Sequence, residues 1–213
     1  MSPRTSKSTK VSSRTSLTRR GDEKRERGSY LILVEGTTEK GYFSGMRSRR
    51  GPQIEVDVIK GDHVTRVRKA VARVSDEYDA VWCVQDTELD QTLTDKMLHE
   101  AHMGSKESKD GKKLHLGLST PCFEFWLILH HDDHRKPFQT ADEAKRKLKD
   151  ILPAWSEGDT RFSDFADGVA DACDRARELD REGDDHGRNP STNVWQLTTL
   201  LRADPGRSGP DRP

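Results

Sequence analysis

Two apolar runs in this chain end abruptly in acid. The first, Tyr30–Val34, is followed by Glu35-Gly36-Thr37-Thr38-Glu39; the second, Ala80–Val84, is followed by Gln85-Asp86-Thr87-Glu88-Leu89-Asp90. Carboxylates gathered from adjacent strands repel one another unless a cation sits between them. Oxygen ligands with no thiolate or imidazole among them suit Mg²⁺ or Mn²⁺. Such an ion serves phosphoryl chemistry: it activates water, orients the phosphate and stabilises the leaving oxygen. Glu35, Glu39, Asp86 and Glu88 are therefore candidate metal ligands, and Glu35, Asp86 and Glu88 the candidate catalytic residues. Asp86 and Glu88 lie two apart and point the same way if extended geometry continues. Glu39 falls in the first turn of the following helix, where a negative charge is also stabilised by the helix N-terminus. Asp90 reads as a helix cap rather than a ligand.

The elements that must position these acids follow from hydrophobic periodicity. Tyr30–Val34 is a continuous apolar run, expected of a strand buried on both faces. A helix is expected over Glu39–Arg50, a strand through Ile54, Val56 and Val58, and an amphipathic helix through Val64, Val67, Val71 and Val74. Ala80–Val84 is a second buried strand. Leu93, Met97, Leu98 and Ala101 mark a helix, Gly104–Lys113 a charged loop, and Leu114, Leu116 and Leu118 a fourth strand leading into the apolar Cys122–His130. This β-α-β-α-β-α-β-α order predicts an α/β fold with a mostly parallel four-stranded sheet flanked by helices. Helical stretches over about 141–152, about 163–180 and after Asn189-Pro190-Ser191-Thr192 then form a C-terminal annex, with Ser191 or Thr192 as a cap. In an open α/β sheet the site lies beyond the carboxyl ends of the strands, where both acid-bearing segments fall.

The composition is polar, with 35% charged and 31% hydrophobic residues and a mean hydropathy of −0.94. The ends account for much of this. Residues 1–27 are nearly devoid of apolar side chains, and Asp204–Pro213 has nothing to bury, so both are expected to be disordered around a folded body of residues 28–203. Within that body the core is expected over about 28–131 and the annex over about 140–203. Net charge is zero, yet the first twenty residues carry Arg4, Lys7, Lys10, Arg14, Arg19 and Arg20 with no acid. Such an arm suits nucleic-acid phosphates, through release of counterions, or is simply solvated. Cys83, Cys122 and Cys173 are odd in number and each sits in an apolar run, which argues for reduced, buried thiols. No apolar stretch reaches membrane-spanning length and no signal peptide is visible, so a soluble, cytoplasmic protein is expected.

The pattern VEGTTEKGYF, followed by the strand ending Asp86-Thr87-Glu88, resembles the Toprim pattern of topoisomerases, primases and OLD-type nucleases. Two further segments, LSTPCFEFWLILHH (Leu118–His131) and NPSTNVWQL (Asn189–Leu197), resemble the RloB family, which includes the AbiLii abortive-infection proteins. The similarity runs from about Ser29 to Leu201. It implies a Toprim-like nuclease of prokaryotic antiviral defence, often paired with an ABC- or AAA-type ATPase or attached to a restriction or CRISPR locus. In the OLD-like relatives two metals are held by a Glu-x-x-x-Glu pair, a DxD-type pair and a later acid. Glu35 and Glu39 match the first and Asp86 with Glu88 the second, although Glu88 replaces the usual Asp, which changes reach but not charge. Glu124 is the candidate for the later acid.

Other polar features have competing explanations. Glu124, inside the apolar CFEFWLIL, could instead pair structurally with a core Arg. Ser119 and Thr120 suit helix capping. His130, His131 and His134 lack the spacing of a transition-metal site and read as a solvated helix end. Lys112 and Lys113 could neutralise a phosphate or be exposed loop charges. Asn189–Asn193 suits a structural turn, with Asn193 or Thr192 open to a place at the site. Three functions fit: a metal-dependent nuclease acting on RNA, with tRNA the natural target; a non-catalytic metal- or partner-binding sensor; and a nucleotidyl-transfer enzyme, since the Toprim fold hosts that chemistry too.

Overall fold

The computed structural model describes residues 27–107 and 114–203. The basic arm, the C-terminal tail, and Lys112 and Lys113 of the charged loop lie outside the described residues, apart from Arg27 at the end of the arm. Strands β1 (Ser29–Val34), β2 (Gln53–Val58), β3 (Ala80–Asp86) and β4 (Leu114–Thr120) form the expected sheet, joined by a short β5 (Ser191–Thr192) in the order β2-β1-β3-β4-β5. The first four are mutually parallel and β5 runs antiparallel to β4. The sheet is thus mixed and five-stranded, not four-stranded. Two residues are too few to carry an alternating pattern, so β5 has no signature in the sequence.

Helices α1 (Thr37–Gly45), α2 (His63–Val71) and α3 (Gln91–Glu107) connect the parallel strands. After β4 come α4 (Phe123–Ile128), α5 (Ala141–Ile151), α6 (Val169–Leu179) and α7 (Val194–Arg202). Strand alternation divides the core. Ile32, Val34, Trp82 and Val84 face a large cluster with Tyr42, Phe43, Trp126 and the C-terminal helices. Leu31, Leu33, Val81 and Cys83 face Val67 and Ala70 of α2 and Met97 and Ala101 of α3. Both faces of β1 and β3 are therefore dry, as their unbroken apolar runs require. All three cysteines are free and buried. Among the described residues, no helix is long and apolar enough to cross a membrane.

Several boundaries differ from the periodicity, two of them where a glycine permits close packing. Helix α1 stops at Gly45, short of the expected Arg50, where segment 157–162 crosses it closely. A Cβ at Gly41 would lie 2.2 Å from the Thr160 carbonyl oxygen, and one at Gly45 2.5 Å from Phe162 Cβ. Helix α3 runs through Gly104, read above as loop; Gly104 faces the Val71 side chain and permits the close α2–α3 crossing. The stretch 157–168 forms short 3₁₀ turns instead of starting α6 near 163.

The C-terminal annex is sewn to the sheet by Asn193. Its Oδ1 accepts from the Leu118 N–H (2.7 Å), and its Nδ2 donates to the carbonyls of Leu116 (3.1 Å) and Gly183 (3.2 Å). The buried amide thus continues the β5 pairing along the β4 edge, a structural role. Asn193→Ala strands the buried Leu118 N–H and frees two carbonyls. A stability loss of about 1–3 kcal/mol in urea unfolding is expected; a change below about 0.5 kcal/mol would show that water replaces the amide fully.

Candidate active site

Parallel strands β1 and β3 are neighbours, with Leu33 beside Cys83, so their carboxyl ends open onto one edge of the sheet. Glu35 leaves β1 there. Helix α1 begins two residues later and carries Glu39, whose Oε2 accepts the Gly36 N–H at 3.1 Å. Asp86 is the last residue of β3, two positions further than the apolar run extends. Its Oδ1 accepts from the Phe123 N–H (2.9 Å), the first amide of α4, which points a helix N-terminus at the carboxylate. Glu124, in the same helical turn, is buried. Four acids from β1, α1, β3 and α4 therefore share one electrostatic neighbourhood.

Their proton affinities record this crowding. Burial raises the Glu39 pKa to about 7, and the charges of Glu124 and Glu35 push the same way. Asp86 is raised well above the ordinary value, first by burial, then by Glu39, Glu124 and Glu35, against the lowering effect of the Phe123 amide. Glu124 is also raised by burial, with Cys122 and Lys145 opposing. The neighbouring Cys122 thiol is pushed up by burial and by Glu124 and Asp86.

Glu35 and Glu88 form an outer pair around Arg66 and His63 of α2. The Arg66 guanidinium is ion-paired with Glu35, donates to Gln85 Oε1 at 2.8 Å and, through Nε, to the Gly61 carbonyl at 2.7 Å. His63 Nε2 lies 3.7 Å from both Glu35 Oε2 and Glu88 Oε1. Glu88 does not continue the strand beside Asp86. Its φ is +51° and that of Leu89 is +60°, so two consecutive non-glycine residues are left-handed. The expected parallel display of Asp86 and Glu88 is replaced by a strained turn that carries Glu88 outward, and such strain tends to gather at functional sites.

The donor set is all hard oxygen, which fits Mg²⁺ or Mn²⁺. Yet among the described residues no three His, Cys, Asp or Glu side chains are already arranged to hold an ion. The reason is visible in the contacts. Glu35 is drawn to Arg66, Asp86 to the Phe123 amide and Glu39 to the Gly36 amide, so ion binding would require these carboxylates to turn inward.

Other polar residues find structural roles. Asp90 caps α3 by accepting the Leu93 N–H. Ser119 and Thr120 do not cap α4: Ser119 Oγ meets Thr192 Oγ1, and Thr120 Oγ1 meets Thr87 Oγ1, each at 2.9 Å. Glu124 has Lys145, not an arginine, as its nearby cation. His130 is buried rather than solvated, its ring between the Tyr42 hydroxyl (3.0 Å) and the Trp126 carbonyl (2.9 Å). His131 packs on Phe165 and His134 stacks on Phe138. The residues that sequence reasoning missed are His63, Arg66 and Gln85. Arg66 sits beside Val67 on a valine-lined helix and Gln85 closes an apolar strand; a polar residue on each of two buried surfaces was the available signal.

Stability should report the crowding. Glu39 holds its proton more tightly in the folded chain than at its ordinary value of 4.5, so folding takes up a proton. In chelator, the thermal midpoint should fall as pH rises from about 4.5 to about 7, and Glu39→Gln should flatten that slope. A divalent ion, which competes with protons, should raise the midpoint more above about pH 7 than below about pH 5. An identical slope in Glu39→Gln would mean that Glu39 does not titrate in this range.

A search of the curated proteins and a search of the solved structures return no match. The family model described as RloB-like protein matches residues 30–201. The match includes every acid described above and the elements that carry it, on a Toprim-like α/β fold with a C-terminal helical region. The chain belongs to the RloB-like protein family.

Proposed function

We propose that the chain is a Mg²⁺- or Mn²⁺-dependent phosphodiesterase that cleaves RNA, with tRNA as the natural target, in prokaryotic antiviral defence. One observation carries this reading. Glu39 and Glu124 are buried and Asp86 is half-buried, three acids from three different elements with raised proton affinities at the carboxyl edge of the sheet. Burying like charges is costly, and their shared need for a cation is what a phosphoryl-transfer site supplies. When bound there, a divalent ion would activate water and stabilise charge on the phosphate. Asp86, Glu39, Glu124 and Glu35 are the side chains placed to hold it. Arg66 pairs with Glu35, and His63 Nε2 lies 3.7 Å from both Glu35 and Glu88.

A second reading is a non-catalytic, metal- or partner-binding sensor that serves an ABC- or AAA-type ATPase or the products of a CRISPR locus. What supports it is that Glu35, Asp86 and Glu39 already have partners within the fold, in Arg66, the Phe123 amide and the Gly36 amide.

The two part on one experiment. Purified protein is incubated with a panel of tRNA and DNA in Mg²⁺, Mn²⁺, Ca²⁺ or chelator. Cleavage of RNA is expected in Mg²⁺ or Mn²⁺ and not in Ca²⁺, whose looser coordination misplaces the attacking water. Asp86→Asn should lower the rate about a thousandfold, or about 4 kcal/mol of barrier, with the fold retained. Full activity in excess chelator, or an Asp86→Asn protein as active as the wild type, would end the metal-nuclease reading.

A further inference from the structure

Arg66 is fixed in place without help from Glu35. Only 9% of its side chain is exposed. Its Nε donates to the Gly61 carbonyl at 2.7 Å and its Nη1 to Gln85 Oε1 at 2.8 Å. Gln85 is fully buried, and its Nε2 donates to the Val84 carbonyl at 2.9 Å, which turns Oε1 towards the guanidinium. Glu35 is held less firmly. Its side chain is 28% exposed and pairs with Nη1 through charge, yet among the described residues no donor meets its Oε2 in hydrogen-bonding geometry. His63 Nε2, at 3.7 Å, is too distant to donate. We propose that Arg66 is a resident counter-ion from which Glu35 is released to a divalent ion, so that the guanidinium and the ion compete for one carboxylate.

Glu35 is the member of the pair that can leave. It follows the last residue of β1 and precedes Gly36, the N-cap of α1. Glu39 and Asp86, whose proton affinities are raised first by burial, are raised further by its charge. A turn inward therefore joins carboxylates that already lie within its electrostatic reach. When it turns, Arg66 keeps both neutral acceptors, so its buried charge is not stripped of hydrogen bonds. An ammonium group on the same helix would lack the fork that holds two acceptors and a carboxylate at once.

The pairing sets how tightly an ion is held. Without an ion, the positive charge of Arg66 offsets part of the repulsion that Glu35 exerts on Glu39 and Asp86. With one bound, the same fixed charge stands beside a dication and lowers its affinity by like-charge repulsion. Parting Glu35 from its partner lowers that affinity further. Arg66 is thus a positioning residue that weakens ion binding and decides when Glu35 joins the other acids. The inference rests on the metal-dependent reading of the site, but it concerns ion binding and not cleavage.

The test is titration of the full chain with Mn²⁺ alone, read by calorimetry and by the electron paramagnetic resonance of the free ion, at constant pH and ionic strength. Arg66→Gln removes the charge and keeps hydrogen-bonding groups; it should bind Mn²⁺ about tenfold or more tightly than the wild type. Arg66→Lys keeps the charge and should bind at least about threefold more weakly than Arg66→Gln. Glu35→Gln should bind more weakly than the wild type, and in that background Arg66→Gln should bring a smaller gain. Should Arg66→Gln fail to fold, the wild type carries the test. In arginine side-chain NMR spectra, saturating Mg²⁺ should shift the Arg66 Nη signals and leave the Nε–H, bonded to Gly61, in place. The proposal is overturned if neither the wild type nor Arg66→Gln binds Mn²⁺, or if Arg66→Gln binds no more tightly than the wild type. It is equally overturned if Arg66→Lys matches Arg66→Gln, if Glu35→Gln binds as the wild type does, if the gain from Arg66→Gln is undiminished in Glu35→Gln, or if Mg²⁺ leaves the Nη signals unmoved. The phosphodiesterase reading fails separately, when a wild type that binds Mn²⁺ as expected cleaves no RNA.

Discussion

The fold must hold like charges together against their repulsion. Glu35, Glu39, Asp86 and Glu124 gather at one sheet edge, Glu39 and Asp86 with proton affinities raised by burial and by neighbouring acids of the group, Glu124 with its own raised by burial. Each is held by a specific donor or cation: the Gly36 amide for Glu39, the Phe123 amide for Asp86, Arg66 for Glu35 and Lys145 near Glu124. Two of these are backbone amides at the starts of α1 and α4. Helix N-termini favour negative charge without adding a side-chain cation.

Helix α2 contributes the chief side-chain compensation. Asp62 caps it by accepting the Thr65 amide, and this fixes the first turn from which His63 and Arg66 project. Arg66 is nearly buried and is shared among Glu35, Gln85 and the Gly61 carbonyl. Because Gln85 immediately precedes Asp86 on β3, the guanidinium ties the end of β1 to the end of β3. A planar fork with several donors can hold such a junction in register; an ammonium group would not.

The far side of the sheet edge is organised by neutral hydrogen bonds instead. Ser119, Thr120, Thr87 and Thr192 pair hydroxyl to hydroxyl, and Asn193 completes the β4 edge. These hydroxyl and amide groups bring no charge of their own to that side of Asp86. Towards Leu114, the β4 edge borders a cavity lined by Trp82 and His115.

The strand and helix order, the parallel sheet and the convergence of Glu35, Glu39 and Asp86 were legible in the chain itself. Apolar runs that end in acid carry the carboxylates to the sheet edge, because the run must be buried and an acid inside it would have no donor or cation to pair with. Tertiary structure alone decided the rest. Glu88 turns away from Asp86 because its backbone enters a left-handed turn whose amide bonds the Pro121 carbonyl, a partner distant in sequence. β5 exists because Asn193 and Thr192 find β4 across more than seventy residues. Arg66 and His63 become part of the site because α2 packs beside β1 and β3, and periodicity reports only that one face of that helix is apolar. Periodicity records which surfaces must be buried; which polar groups then meet depends on contacts between segments far apart in the chain, and those are formed only by the packed fold.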